Sequence, residues 1–156
     1  MLKKISLLSD HIELFEEFSG WEHLNLFKSI WKSSVDLELI TSKLNMNYYV
    51  KDKVSSYSLG MQQRLCFAMQ LASDTDYLLM DEVMNGLDPD NVALLSDVLQ
   101  ELRKSGKSIL ISSHLLENLQ EISDRVYFLK AGQIVAEFSE EDGSLREKYK
   151  EIYNLK

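Results

Sequence analysis

The most constraining feature of this chain is an unbroken apolar run, residues 77–80 (YLLM), that ends in the adjacent carboxylates Asp81 and Glu82. Such a run is typical of a strand that is covered on both faces, as in a parallel sheet. Open α/β sheets bind ligands at the carboxyl ends of their strands. There, Asp81 can hold Mg²⁺ mainly through water, and Glu82 can orient or deprotonate a water that attacks a phosphate. Taken alone, the pair is equally compatible with acidic residues that close a strand at a solvated loop.

Strands and helices alternate along the rest of the chain. Short or alternating apolar runs predict strands at 5–8 and 109–111 and a hairpin over 126–129 and 134–138. Helical spacing and capping residues predict helices over about 22–33, 37–44, 59–73, 89–105 and 116–122. This order predicts an α/β domain with a largely parallel sheet.

The composition indicates a globular protein and disfavours several function classes. Hydrophobic residues make up 45% and charged residues 27% of 156 residues, enough for one core. The formal net charge of -8 argues against a general nucleic-acid binder. Cys66 is the single cysteine, so an internal disulfide is excluded, and the three histidines lack metal-ligand spacing. The apolar start is too short for a signal peptide and no window is long enough to span a membrane, so we expect a cytoplasmic protein.

Three further polar segments accompany the acidic pair. Residues 58–64 (SLGMQQR) precede it, 85–88 (NGLD) follow it, and 112–114 (SSH) end the next predicted strand. Ser58 and Asp88 are both N-cap residues by position, and the free N–H groups at a helix start favour an anion. Capping alone would also explain both residues.

These four segments, in this order, resemble the ABC ATPase family. Residues 57–65 resemble its signature motif, 77–82 its Walker B strand, 85–88 its D-loop, and Ser113-His114 its switch histidine. The resemblance implies the P-loop NTPase fold of ABC ATPases, present incompletely. Residues 1–156 would form a partial domain whose parts are a helical subdomain (about 15–73), part of the RecA-like parallel-sheet core (about 1–14 and 74–138) and a tail (139–156).

The resemblance also implies roles for single residues. Glu82 and His114 would be catalytic, and Asp81 would hold Mg²⁺. ATP bound on a second ABC domain, in a head-to-tail dimer, would be contacted by the signature and D-loop residues Ser58, Gly60, Met61 and Asp88. Asp10 stands near the position of the Q-loop glutamine, with a shorter side chain.

Two departures from the family pattern bear on function. The signature commonly reads LSGGQ, whereas residues 57–61 read YSLGM, which resembles the exporter branch associated with bacitracin and lantibiotic resistance. Val83 and Met84 replace the usual Pro-Thr after the catalytic glutamate, which affects loop stiffness more than chemistry.

A phosphate-binding loop, strand-GxxxxGK[ST]-helix, does not occur in these 156 residues. Gly106-Lys107-Ser108 resembles its end, but Glu101 stands where the first glycine belongs, and a helix precedes the segment instead of a strand. In the family this loop precedes the Q-loop strand. We therefore expect a truncated reading of a longer domain, one that alone neither binds nor hydrolyses ATP.

The favoured interpretation is the ATP-binding, ATP-hydrolysing subunit of an ABC exporter for a drug, peptide or lantibiotic-like substrate, peripheral on the inner membrane face. A separate membrane permease would dock on the helical insert, about residues 15–50. Its large apolar residues could serve that contact, although more of them should be core: Trp21, Leu24, Phe27 and Trp31.

Two alternatives remain open. The first is a catalytically inactive interaction fragment that docks to a permease or to a full-length ABC partner. The second is a soluble ABC protein of translation or DNA repair, which the acidic charge and the lack of a long coiled-coil insertion disfavour.

Overall fold

A computed structural model describes residues 4–9 and 13–154, so the Q-loop candidate Asp10 lies outside the described residues. The chain forms two compact units, the first ending at Ser112 and the second beginning at Ser113. The elements of the first unit are β1 (Ile5–Leu8), α1 (Gly20–Trp31), α2 (Leu37–Lys43), α3 (Leu59–Ala72), β2 (Tyr77–Asp81), α4 (Pro89–Lys104) and β3 (Ser108–Ser112). Those of the second unit are α5 (Leu116–Ile122), β4 (Arg125–Lys130), β5 (Gln133–Ser139) and α6 (Leu145–Tyr153).

The first unit is built on a three-stranded parallel sheet in the order β1-β2-β3. Tyr77 of the central strand pairs with Ile5 on one side and with Ser108 on the other. Because all three strands run in the same direction, their carboxyl ends meet at one edge of the sheet, where Asp81 lies opposite Ser112. The predicted α/β class with a parallel sheet is confirmed.

One face of this sheet is covered and the other is open. Leu8, Leu78 and Met80 are buried on the covered face, against α3 and α4. On the other face Leu7 and Leu110 are exposed. The expectation that the apolar run at 77–80 is covered on both faces is therefore wrong for the described residues. Its physical reason is that a run of apolar residues records hydrophobicity but not how many layers pack against the strand.

The helices begin where side chains cap them. At α1, Ser19 and Glu22 form a capping box, with the Glu22 N–H donating to Ser19 Oγ at 3.2 Å and the Ser19 N–H donating to Glu22 Oε2 at 2.7 Å. The helix thus starts at Gly20, two residues before the predicted start. A Cβ atom at Gly20 would lie 2.5 Å from Tyr57 Oη and 3.2 Å from the Val50 carbonyl oxygen, so this close approach requires glycine.

The segment Gly106-Lys107-Ser108 joins a helix to a strand, as predicted. Gly106 has a φ of 89° and follows α4, and Lys107 turns its ammonium group toward Asp74 Oδ1 at 2.8 Å and the Thr75 carbonyl oxygen at 2.9 Å. Because the lysine is engaged in holding the start of β2, its interpretation as part of a phosphate-binding loop is excluded.

The second unit is a hairpin with two helices. β4 and β5 pair antiparallel through a turn at Ala131 and Gly132, both with positive φ, as the common two-residue hairpin turn requires. Phe128 of β4 packs near the rings of Tyr149 and Tyr153 of α6. Sequence patterns assigned no element to α6. No helix among the described residues combines the length and the apolar character that a membrane crossing requires.

Candidate functional site

The predicted acidic pair lies at the carboxyl end of the central strand, β2. Asp81 is the last residue of that strand, and Ser112 ends the neighbouring strand beside it. The Ser112 hydroxyl donates to Asp81 Oδ1 at 2.5 Å and accepts the Glu82 backbone N–H at 3.0 Å. A single serine therefore ties both carboxylate residues to the sheet edge. Sequence reasoning assigned Ser112 no role, although its position at a strand end opposite an acidic residue was a signal for one.

Glu82 has an unusual backbone conformation, with a φ of 52°. A residue with a side chain is strained in this left-handed region, by roughly 1–2 kcal/mol. Hydrogen bonds on both sides of Glu82 hold this conformation. The Glu82 N–H donates to Ser112, and the Glu82 carbonyl oxygen accepts the Asn85 N–H at 3.0 Å. The next residues, Val83 and Met84, are buried and anchor the loop. A carboxylate held in a strained turn at this edge of a parallel sheet is typical of a functional position.

The donor chemistry at this edge fits a magnesium ion bound together with a phosphate ligand. Asp81 is exposed, with the Ser112 hydroxyl at hydrogen-bonding distance. Over the described residues, no group of three or more His, Cys, Asp or Glu side chains converges on a metal position. One carboxylate and one hydroxyl suit Mg²⁺, which keeps several waters and takes further ligands from its phosphate partner.

The predicted cap of the signature helix is confirmed. Ser58 Oγ accepts the backbone N–H of Met61 at 3.3 Å, and α3 begins at the next residue, Leu59. Ser58 and Leu59 are exposed, and Gly60 and Met61 are half-buried. The helix start is thus open to solvent, as an anion-binding helix end must be. Its role toward ATP stays a prediction.

The signature helix is tied to the D-loop segment by side chains. Gln63 Nε2 donates to the Asn85 carbonyl oxygen at 2.8 Å. Arg64 Nε donates to Asn91 Oδ1, and the Asn91 side-chain amide donates to Asp88 Oδ2 at 2.5 Å. Sequence reasoning missed this role of Arg64 and Asn91, because no local pattern reports a bond between residues that are distant in sequence.

Asp88 caps α4, as its position before Pro89 predicts. Asp88 Oδ1 accepts the Asn91 backbone N–H at 2.9 Å. Hydrogen bonds from the Asn91 backbone and, next, from its side chain hold the pKa of the Asp88 carboxyl below its usual range. The residue is therefore charged at neutral pH, beside the positive end of the α4 dipole.

His114 belongs to the second unit, whereas Asp81, Glu82, Ser58 and Asp88 belong to the first. It is exposed, in the segment that leads to α5, and its carbonyl oxygen accepts the Leu116 N–H at 3.1 Å. Its predicted action together with Glu82 stays a prediction.

The large apolar residues of α1 that could serve a permease contact differ in burial. Leu24 is fully buried, while Trp21, Phe27 and Trp31 are half-buried. Phe27 and Trp31 line a small cavity of about 40 Å³ together with Cys66 of α3. Of these four residues only Leu24 belongs to the buried core, so the expectation that more of them are core than interface stays a prediction. Burial also raises the pKa of the Cys66 thiol to about 11, in keeping with an inert side chain.

The amino-acid sequence was compared with models of known protein families. The family described as "ABC transporter" matches residues 1–85, more than half of the chain. The chain belongs to the ABC transporter family.

Individual ABC proteins resemble most of the chain. The "Uncharacterized ABC transporter ATP-binding protein YdbJ" of Bacillus subtilis is 32% identical over 141 residues, 88% of this chain and 46% of that protein. The "Lantibiotic transport ATP-binding protein SrtF" of Streptococcus pyogenes is 30% identical over 154 residues, 98% of this chain and 66% of that protein. The chain thus spans about half the length of YdbJ and about two thirds of SrtF.

The fold is that of ABC ATPases. A solved structure described as "Structure of ATP binding subunit of ABC transporter" matches with a TM-score of 0.86 at 22% identity, over 97% of this chain and 69% of that chain. The fold class expected from the four motifs is therefore confirmed.

Proposed function

We propose that this chain is the hydrolysis part of the ATP-binding subunit of an ABC exporter. The observation that carries the proposal is the strained Glu82, which follows Asp81 at the carboxyl end of the central parallel strand. Membership of the ABC transporter family supports ATP, with Mg²⁺, as the ligand at this edge of the sheet.

In this proposal the residues at the carboxyl end of β2 and β3 have different roles in ATP hydrolysis. Glu82 orients and deprotonates the attacking water, and Asp81 holds Mg²⁺ mainly through water. Ser112 keeps both in place through its hydroxyl. By the family resemblance alone, His114 would donate a hydrogen bond to the terminal phosphate and Asp10 would take the Q-loop position. Mg²⁺, when bound, neutralises charge that develops on the phosphate oxygens.

A second ABC domain completes the site in this proposal. Ser58, Gly60 and Met61 meet the phosphates bound on the opposite domain, and Asp88 carries the contact between domains. The exposed start of α3 supports this arrangement. The hydrogen bonds from Arg64 through Asn91 to Asp88 support coupling of the two motifs, because they link the signature helix α3 to the D-loop residue Asp88.

The proposed substrate of the exporter rests on the similarity of this chain to SrtF and on its signature motif. SrtF is named for lantibiotic transport, and the YSLGM form of the signature motif resembles the bacitracin and lantibiotic exporter branch. We therefore propose that the substrate is a drug, a peptide or a lantibiotic-like molecule and that it passes through a separate permease. Exposed apolar residues around α1, among them Phe15 and Ile30, support a permease contact at the cytoplasmic membrane face. The net charge of -8 speaks against nucleic acid as a partner.

The 156-residue polypeptide alone is proposed to be inactive toward ATP. It contains no GxxxxGK[ST] segment to wrap the phosphates. The open sheet face around Leu7 and Leu110 supports the proposed inactivity, because all-parallel sheets in folded proteins are almost always covered on both faces.

The test is a chimera in which a strand-GxxxxGK[ST]-helix segment, taken from an ABC ATPase, is fused ahead of this chain. Mg²⁺-dependent phosphate release is expected from the chimera, and Glu82→Gln is expected to lower its rate about a hundredfold or more. Glu121→Gln, an exposed carboxylate on α5, is the matched control and should keep the rate. A folded chimera whose rate is insensitive to Glu82→Gln would contradict the role of Glu82.

The second candidate function, an inactive interaction fragment, is favoured by the same open sheet face. It predicts that the chain binds a full-length ABC partner or its permease while the chimera hydrolyses no ATP. Pull-down with the permease, run beside the phosphate-release assay, separates the two candidates.

A further inference from the structure

His23, on the first turn of α1, is a buried histidine that the proposed ATP chemistry does not use. It is 2% exposed, and both of its ring nitrogens have backbone partners. Nδ1 lies 2.8 Å from the Ser19 carbonyl oxygen, and Nε2 accepts the backbone N–H of Phe15 at 3.0 Å. The ring therefore ties the start of α1 to the connecting segment before it, residues 13–18.

These two partners fix the protonation state of the His23 ring. A carbonyl oxygen can only accept a hydrogen bond, so Nδ1 carries a hydrogen atom. A backbone N–H can only donate, so Nε2 carries none and the ring is neutral. A second proton on Nε2 would place two donors against each other, and the Phe15 N–H would lose its acceptor.

The surroundings of the ring leave a second proton no other place. The Phe15 ring stacks on the imidazole with centroids 5.9 Å apart, and the Phe18 ring meets it edge-on at 5.8 Å. A charged group that is buried without a hydrogen-bond partner is strongly unfavourable. The protonated ring therefore requires the segment to open at Phe15.

Other charged groups near the ring do not change charge in the range in which histidine titrates. The Glu22 carboxylate accepts the Ser19 N–H and hydroxyl, both at 2.7 Å, and these hydrogen bonds, the backbone one first, hold its pKa below the usual range. Glu22 thus stays charged between pH 5 and 8. Charged side chains on α3 and on the segments 13–18 and 50–55 are exposed or paired with other residues: Glu13, Glu16, Glu17, Lys51, Asp52, Lys53 and Arg64.

The bond from His23 holds only the first part of the segment. Beyond Phe15 the chain has other anchors, because the carbonyl oxygens of Glu16 and Phe18 accept the N–H groups of Ser55 at 3.0 Å and Val54 at 2.9 Å. Phe15 itself is 60% exposed, so little apolar burial holds it. Loss of the His23 bond should free Phe15 and leave residues 16–18 in place.

We propose that His23 is a pH-sensitive latch, which holds the Phe15 N–H when the ring is neutral and releases it when Nε2 is protonated. The latch is closed at high pH and opens as the pH falls from 8 to 5. Phe15 is one of the exposed apolar residues that support the permease contact, so opening weakens that contact. This consequence rests on the proposed function, whereas the latch itself does not.

The test is amide hydrogen exchange in the ¹⁵N-labelled 156-residue chain between pH 8 and pH 5, corrected for the intrinsic pH dependence of exchange. The reference is the Trp21 N–H, which donates to the Val50 carbonyl oxygen at 2.7 Å. Protection of Phe15 relative to Trp21 is expected to fall about tenfold or more toward pH 5, the size typical of one lost hydrogen bond. The ring ¹⁵N signals of His23 should report protonation of Nε2 over the same range.

A matched pair of variants separates the charge of the ring from its shape. His23→Gln brings an amide oxygen to the position of Nε2 and does not titrate, so Phe15 should stay protected at both pH values. His23→Asn keeps a donor for Ser19 but is too short to reach Phe15, so protection should be low at both.

Three results would each overturn the latch: Phe15 protection in the wild-type chain that does not change with pH, the same fall in His23→Gln, or ring signals that show Nε2 protonated at pH 8. The wild-type measurement needs no variant to fold. Because no permease takes part, the outcome is also separate from that of the permease pull-down.

Discussion

The two faces of the parallel sheet come from the same three strands but meet different surroundings. On the covered face Leu78 is 2% exposed, whereas on the open face Leu110 is 62% exposed. The helices α3 and α4 cover the first face. On the open face, no described element covers the side chains of Leu7 and Leu110. The covered face is therefore packed against helices, while the open face is an apolar surface suited to contact with further polypeptide.

The largest expected effect comes from truncating the same side chain on each face. Leu78→Ala should lower the free energy of unfolding by about 2–5 kcal/mol, because it removes buried contacts and leaves a void. Leu110→Ala should change it by less than about 0.5 kcal/mol. Urea unfolding followed by circular dichroism measures both. Equal losses in the two variants would mean that the open face is also a packed core.

A smaller loss is expected where a polar residue anchors the covering helix. Gln70 of α3 donates to backbone carbonyl oxygens of β1 and β2, so Gln70→Leu should cost roughly 1–3 kcal/mol of unfolding free energy. Gln62→Leu on the same helix, where the wild-type amide only reaches the Tyr57 carbonyl oxygen at 3.5 Å, is the control. If both variants unfold at the same urea concentration, the anchoring role of Gln70 is wrong.

A gain in stability is expected at the strained carboxylate. Glu82→Gly should raise the free energy of unfolding by roughly 0.5–1 kcal/mol, because glycine adopts a φ of 52° without strain and this outweighs its entropy cost. Glu82→Ala keeps the strain and should bring no such gain. Thermal unfolding of the three proteins tests this, and a loss of stability in Glu82→Gly would contradict it.

The smallest expected effect is a pH dependence at the α4 cap. Since the pKa of Asp88 is lowered in the folded chain, its carboxylate stabilises the fold above the unfolded pKa of about 3.9, and this contribution is lost as pH falls through the lower folded value. Asp88→Asn keeps a capping side chain but does not titrate. The difference in melting temperature between the two proteins should therefore shrink toward pH 3. A difference that is constant between pH 6 and pH 3 would contradict it.

Much of the fold could be predicted from local patterns. Asp88 before Pro89 and Ser58 before an amphipathic stretch marked two helix starts, and the run before Asp81 marked the central strand, because capping and hydrophobicity act over a few residues. The open sheet face, the Arg64–Asn91 bond and the strain at Glu82 could not be predicted, because each depends on what packs nearby in three dimensions.

Helix α6 was missed for a different reason. Its N-cap residue, Ser144, could be recognised in the sequence, but Tyr149 and Tyr153 stand among charged residues, so no helical spacing of apolar residues was evident. The full burial of Leu145 appears only in the structure.

The most direct test of the need for a phosphate-binding loop is Mg²⁺-dependent ATP hydrolysis by the purified 156-residue chain, measured beside the chimera that carries the strand-GxxxxGK[ST]-helix segment. No phosphate release above background is expected from the chain, and sustained, Glu82-dependent release is expected from the chimera. Sustained Mg²⁺-dependent hydrolysis by the chain itself, abolished by Glu82→Gln, would contradict the need for a phosphate-binding loop and for a cover on the open face.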